Sequence, residues 1–180
     1  MANLLDGIKV IDWTQAHHGS ATGYMLGDLG ADVIKVEDPE GDSARTWRSI
    51  MGVSLELPGG RNILFEGANR NKRSIVLNLK HARGVEILLK LVAGADVFIQ
   101  NFRPGVAARM GLGEGVIRGA KPNIVYVSIA GFGFEGPYAE RPVYDPLIQS
   151  LSGLASVQAG ADQERPRLVR TILPDKMTAV

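Results

Sequence analysis

Within its first 37 residues the chain sets two short apolar runs around a helical stripe, and few architectures accommodate that order. Ile8 to Asp12 is apolar with a polar end, the pattern of a strand in a buried sheet. Thr14 to Gly19 reads as a loop. From Ser20 a helix is expected, with Ala21, Met25 and Leu29 four apart, Leu26 widening the stripe, and Gly30 placed to end it. Val33 to Glu37 is a second strand. Strand, helix and strand in this compass form a βαβ unit, which implies parallel strands joined by a right-handed crossover.

The alternation resumes downstream. Ser74 to Leu79 reads as a strand, and His81 to Ala93 as a helix with Val85, Leu88, Leu89 and Val92 on one face. Asp96 to Gln100 and Asn123 to Ala130 are further strands, separated by short helices at Val106 to Met110 and Glu114 to Gly119. Pro146 to Leu154 is expected as one helix. Residues 38 to 69, with Pro39, Gly41, Pro58, Gly59 and Gly60, break the rhythm and read as a surface excursion holding a short helix around Arg45 to Met51. The whole predicts a Rossmann-like α/β fold, a largely parallel sheet with helices on both faces.

Composition narrows the function. Hydrophobic residues at 45% and charged residues at 22% suit a packed domain rather than a disordered chain. Twenty Lys+Arg against 19 Asp+Glu leave a net charge of +1, too little for a protein that grips nucleic acid through its phosphates. With no cysteine there is no disulfide scaffold, thiolate metal site or cysteine nucleophile, and a cytoplasmic location fits. Asp6, Lys9 and Asp12 interrupt the N-terminal apolar runs, so no signal peptide is read there. No run approaches the ~18 apolar residues that span a bilayer.

Ligands of such sheets bind beyond the carboxyl ends of the strands. Those ends are Asp12 to Gly19, Glu37-Asp38, Asn101 to Gly105 and Gly131 to Gly136. The first lacks the G-x-G-x-x-G spacing, and Glu37 only weakly echoes a ribose-binding acid, which argues against a dinucleotide site. His17 and His18 lack metal-ligand spacing. They are either polar loop residues or ligand contacts made through backbone N–H groups and rings. Arg70-Asn71-Lys72-Arg73 is either a solvated loop or a phosphate clamp, which Lys80 and Arg109 would join. Asp175 follows Pro174 at a helix start. It is either an N-cap or a carboxylate nucleophile kept ionised by the helix dipole.

Several segments in order carry a resemblance. Leu5-Asp6-Gly7-Ile8-Lys9-Val10-Ile11-Asp12-Trp13-Thr14 and the stretch from Leu26 to Glu37 resemble the opening of the family III CoA-transferases, the CaiB/BaiF group that includes formyl-CoA transferase. Asn69 to Ser74 is similar to that family's N-x-N-K-R-S signature. Asn101-Phe102-Arg103-Pro104-Gly105, Gly131-Phe132-Gly133 and Tyr144-Asp145 follow in the family's order.

The resemblance implies transfer of coenzyme A from an acyl-CoA to a carboxylic acid, with Asp175 as nucleophile. Intermediates would be an aspartyl anhydride and an aspartyl-CoA thioester. It also implies CoA contacts at His17, His18, Leu77, Asn78, Leu79, Lys80, Asn101, Phe102, Arg103, Arg109, Tyr144 and Asp145. Asp38 stands where formyl-CoA transferase has an arginine, and Arg70 or Lys72 would take over that grip. No metal is implied. Family members are longer and form interlocked homodimers, so residues 1–180 are expected to be the N-terminal part of the large domain, inactive alone. An α-methylacyl-CoA racemase is the nearest rival, but racemases place a histidine where Tyr144 stands, and a phenol is a poor base near neutrality. A non-catalytic CoA-binding module would keep the loops without depending on Asp175.

Overall fold

A computed structural model describes residues 3–50, 52–161 and 163–180. Strand β1 (Lys9–Trp13), helix α1 (His18–Asp28) and strand β2 (Asp32–Glu37) form the predicted βαβ unit. Gly30, at φ +104°, turns the chain after α1.

The excursion differs from expectation. In place of a helix around Arg45 to Met51 there is a single 3-10 turn at Ser43–Thr46, opened by Asp42, whose side chain accepts the Ala44 N–H. Met51 lies outside the described residues. Two small antiparallel hairpins follow, β3 (Ser49–Ile50) with β4 (Val53–Ser54), and β5 (Glu56–Leu57) with β6 (Arg61–Asn62). Helix α2 (Ile63–Asn69) is capped by Asn62, which accepts the Phe65 N–H at 3.0 Å.

Strand β7 (Lys72–Val76) begins two residues earlier than predicted. Leu77 and Leu79 leave the sheet but stay buried in the core. His81 caps α3 (Ala82–Ala93) through its ring, Nδ1 accepting the Arg83 N–H at 3.2 Å. The chain continues through β8 (Val97–Gln100), α4 (Val106–Arg109), α5 (Glu114–Ala120) and β9 (Val125–Ser128). The helix expected over Pro146 to Leu154 is two: α6 (Asp145–Leu151) and α7 (Leu154–Ala159), broken at Gly153 with φ +80°. Helix α8 (Leu173–Thr178) closes the described chain.

The main sheet has the order β7-β2-β1-β8-β9, with every pair parallel. Side chains alternate between its faces. Ile11 and Phe98 join Leu88 and Val92 of α3 and Ile117 of α5 in one cluster, while Val10, Val33 and Ile99 meet Leu26 of α1 on the other face. Helices therefore cover both faces. The chain steps outward from β1 to β7 and then returns to β8 on the other side of β1. The loops after β1 and β8 thus diverge at the centre of the sheet, where such folds place a ligand.

Helix α1 approaches the sheet by a row of glycines beside Ala21 and Leu26 of the predicted stripe. Gly19 and Gly23 are buried, and a Cβ on Gly23 would press into the Asp12 carboxylate and the Lys72 ammonium. Met25 and Leu29 lie on the outer side, Leu29 exposed.

Candidate active site

The first βα loop is held from below by buried charge. Lys35 Nζ donates to the Thr14 carbonyl at 2.9 Å and pairs with Asp42 at 2.8 Å, both side chains 1% exposed. Asp42 accepts the Ala16 N–H at 3.1 Å, where Ala16 sits at φ +61°. Across the switch point, Asn101 Oδ1 accepts the Gln15 N–H at 2.9 Å, and its amide donates to the Gln15 carbonyl at 2.8 Å. These contacts fix the backbone that delivers His17 and His18 to the start of α1.

Asp175 reaches the same place from α8. It is the third residue of that helix and not its N-cap, which is Ile172. Its backbone N–H donates to Asp145 Oδ2 at 3.1 Å. Gln149, fully buried, ties Asp145 to the approach segment. Its amide donates to Asp145 Oδ1 at 2.6 Å and to the Thr171 carbonyl at 3.0 Å, and its oxygen accepts the Val169 N–H at 2.8 Å. Asp175 Oδ1 stands 3.7 Å from His18 Nδ1, each side chain 28% exposed.

The surroundings of Asp175 raise its carboxyl above the ordinary aspartate value but leave it ionised at pH 7. Burial, and then the neighbouring Asp145, push Asp175 up to about 6. Burial also lowers His18. His17 falls to about 4 through burial, Lys176 and His18, with Asp145 opposing. Both histidines are therefore neutral at pH 7, and Asp175 has an uncharged neighbour in place of a cation.

Two clefts meet at Asp175. One, about 120 Å³, lies between His18, Gly131, Val143, Tyr144 and Thr178. The other, about 560 Å³, opens between Trp47, Ile50, Pro146 and Ile172. A Cβ on Gly131 would overlap Val143 Cγ1. Gly131→Ala is therefore expected to push Val143 into the smaller cleft and cost ~1–3 kcal/mol. An unchanged midpoint in thermal unfolding would show that the loop is not packed there.

The remaining predicted residues divide. Tyr144, largely exposed, and Asp145, buried, flank Asp175. Asn101 joins the site. Phe102 packs against Trp13 with ring centroids 4.4 Å apart and the planes tilted by 50°. Lys80 stands near Asp38, whose carboxyl is raised by burial and Glu40 and drawn back by Lys80. Asn78 accepts the Lys80 N–H at 3.1 Å. Arg103 lines a separate cleft between the ends of β8 and β9, and Arg109 ends α4 against Gly105.

The Arg70 to Arg73 run departs from the phosphate-clamp expectation at Lys72, which is buried, and at Arg73, which lies at the far end of the sheet, while Arg70 sits in a half-exposed ion pair. Arg70 pairs with Asp28 and lies 3.8 Å over the Tyr24 ring. Lys72 is 1% exposed and donates to Asp12, the Ser20 carbonyl and Asn69. Arg73 pairs with Asp32, the first residue of β2, at the amino end of the sheet. Glu37 is not free for a ribose either. Burial raises it, but Arg45, Ser74 and the Asp42 N–H outweigh that and hold it at about 2. Nothing in hydropathy or spacing marked Trp47, Ile50 or Gln149, whose roles come only from tertiary placement. Among the described residues no group of acidic or histidine side chains is placed to hold a metal ion, and no helix is long and apolar enough to cross a membrane.

Comparison with known proteins gives the same frame. The family described as CoA-transferase family III matches residues 5–180. Succinyl-CoA:glutarate CoA-transferase of Homo sapiens is 40% identical over 172 residues, covering 94% of this chain and 38% of that protein. Formyl-CoA:oxalate CoA-transferase of Streptomyces avermitilis is 41% identical over 162 residues, covering 90% and 38%. A crystal structure of a CAIB/BAIF family protein from Brucella suis superposes with a TM-score of 0.89 at 39% identity, over 99% of this chain and 47% of that one. The chain thus spans less than half the length of these relatives.

Proposed function

Since the chain belongs to CoA-transferase family III, we propose that it carries the nucleophile and part of the CoA site of an enzyme moving coenzyme A from an acyl-CoA to a carboxylic acid. The observation that carries this reading is Asp175 at the junction of two clefts, anchored through Asp145 and Gln149.

In this reading Asp175 attacks the thioester carbonyl. The C–S bond breaks, CoA leaves as thiolate, and an aspartyl-acyl anhydride forms. The thiolate then attacks the aspartyl carbonyl, releasing the donor acid and leaving an aspartyl-CoA thioester. The acceptor carboxylate displaces CoA from that thioester, forming a second anhydride. CoA finally attacks the acceptor's acyl carbon and frees Asp175. Each step exchanges one activated carbonyl for another, so no ATP is needed. The thiol end approaches from the His18 side, over the loop held by Asn101. Lys80, Arg103 and Arg109 meet the phosphates in place of Lys72 and Arg73. The names of the relatives support acids such as glutarate or oxalate as acceptors. Residues 1–180 form the N-terminal part of the large domain in this reading. The working unit is a cytoplasmic, interlocked homodimer of the full-length protein.

Acyl-CoA mixed with the full-length protein should leave an adduct on Asp175, located by peptide mass spectrometry. Only the ionised carboxylate attacks, and Asp175 titrates near 6. The initial rate of adduct formation is therefore expected to rise with pH through about 6 and level off above it. A rate flat from pH 5 to 8, or an adduct elsewhere, would sink the assignment.

A further inference from the structure

The transfer reading leaves one carboxylate at the carboxyl end of the sheet without a task. Glu37 closes β2 and is held by Arg45, Ser74 and the Asp42 N–H. Asp38, the next residue, is half-buried. Its one side-chain hydrogen bond among the described residues is a long one, accepted from Gln15 Nε2 at 3.5 Å. Asn101 clasps the Gln15 backbone from the other side, so Asp38 stands at the edge of the loop that carries His17 and His18. Leu77 joins the same rim, its N–H donating to the Glu37 carbonyl at 2.9 Å, and Lys80 follows it.

The charge at this rim is acidic. Glu37 is matched by Arg45, and Asp42 by Lys35. That leaves Asp38 and the exposed Glu40 against the ammonium of Lys80. Arg70 and Lys72 do not shift this balance. Lys72 is buried on Asp12, and Arg70 pairs with Asp28, the last residue of α1, from which the chain enters β2 at its amino end. In doubly wound parallel sheets an acid after the second strand accepts a ribose hydroxyl, whereas a ribose that carries a phosphate is met there by an arginine. CoA bears a phosphate on its ribose, yet this rim is built for a ribose without one.

We infer that Asp38 accepts a hydrogen bond from the adenosine ribose of CoA and, with Glu40, cancels what the ribose phosphate gains from Lys80. Thioesters of dephospho-CoA, which lacks only that phosphate, then serve this enzyme about as well as thioesters of CoA. The inference rests on the CoA-transfer reading and adds a carrier class and the residue that sets it. Two carboxylates facing a phosphate repel it, and a single ammonium offsets only part of that repulsion. Losing the phosphate therefore costs little binding, while the hydrogen bond to the ribose hydroxyl remains.

The test uses full-length protein, one acceptor acid, and the same acyl group carried on CoA or on dephospho-CoA. The quantity read is the ratio of kcat/KM for the CoA thioester over the dephospho-CoA thioester. In wild type it should lie below about tenfold. Asp38→Arg should raise it by roughly 10- to 100-fold, chiefly through KM, because repulsion of the phosphate gives way to a charged hydrogen bond. Added salt should shrink that gain. Asp38→Asn keeps the size and an acceptor oxygen but loses the charge, and should raise the ratio by roughly 3- to 10-fold. A wild-type ratio above about tenfold, or a ratio unchanged in either variant once its folding is verified by thermal unfolding, would overturn the inference while transfer itself stands. Absence of turnover with either carrier, with no adduct on Asp175, would overturn the transfer reading and this inference together.

Discussion

Asp175→Asn in the full-length protein is expected to lower CoA transfer by roughly three orders of magnitude or more, with CoA affinity changed less than about twofold. Asparagine keeps the size of the side chain and leaves the backbone N–H on Asp145 Oδ2. Its amide cannot form the anhydride. The variant should also be the more stable protein at pH 8. The native carboxyl keeps its proton up to about 6, whereas an unfolded aspartate loses it near 3.9. Between those values the unfolded state sheds the proton first, so stability falls as pH rises through that window and the full penalty is present above it. Removing the charge is expected to add about 1–3 kcal/mol at pH 8 and nothing at pH 3. Turnover at a tenth of wild type or better, with deamidation excluded by mass, would reduce Asp175 to a structural residue of α8.

This pairing of lost activity with gained stability follows from how the site is built. Asp145 is buried and bonded to Gln149, and its remaining oxygen orients the Asp175 backbone while its charge opposes ionisation of the Asp175 side chain. The neutral His18 beside it offers no compensating charge. A carboxylate raised in this way is more basic and a better nucleophile once ionised, and it still ionises near neutrality.

How much of this was legible in the sequence depends on which force set each element. The central strands were readable because burial on both faces leaves short apolar pairs and triplets, Val10-Ile11 in β1, Val33-Ile34 in β2 and Val97 to Ile99 in β8, whereas the edge strand β7 is largely exposed and was placed two residues late. Helix α3 was readable because its stripe faces the core. Helix α1 was located, and Ala21 and Leu26 of its stripe do face the core, but Met25 and Leu29 do not. Glycine contributes almost nothing to hydropathy, yet Gly19 and Gly23 are what let α1 close on Thr14 and Asp12. The hairpins of residues 49–62 escaped because their strands have two residues each, too short to show a period. The break at Gly153 was missed because an isolated glycine in a helical pattern is often tolerated. At the site, Asp175, His18 and Tyr144-Asp145 were reached through ordered motifs. The Lys72 error has a clear cause: charge in a short basic run says nothing of burial, and a lysine beside a buried aspartate is taken up by it.

That lysine gives the largest expected effect on stability. Lys72 and Asp12 are 1% and 0% exposed, and the ammonium donates at 2.7 Å to Asp12 Oδ2, at 2.7 Å to the Ser20 carbonyl and at 2.9 Å to Asn69. It thereby joins β7, β1, α1 and α2 at one point beneath the loop that carries His17 and His18. Burial draws the ammonium down to about 8 against the pull of Asp12, so holding this charge is itself costly. Removing one partner is costlier still. Lys72→Met would leave Asp12 buried against Gly23 without a cation, at about 3–5 kcal/mol. That is a large share of the roughly 5–15 kcal/mol that holds a domain folded. Thermal unfolding should register a drop of about 6–20 °C. Asp12→Asn with Lys72→Met removes the orphan charge and still lets the side-chain oxygen accept the Thr14 N–H, as Asp12 does at 3.1 Å. The double variant should therefore be more stable than Lys72→Met alone, with a coupling of about 1–3 kcal/mol in the double-mutant cycle. Were Lys72 on the phosphates of CoA instead, Lys72→Met would keep the wild-type melting temperature, and its defect would appear as a raised KM for acyl-CoA.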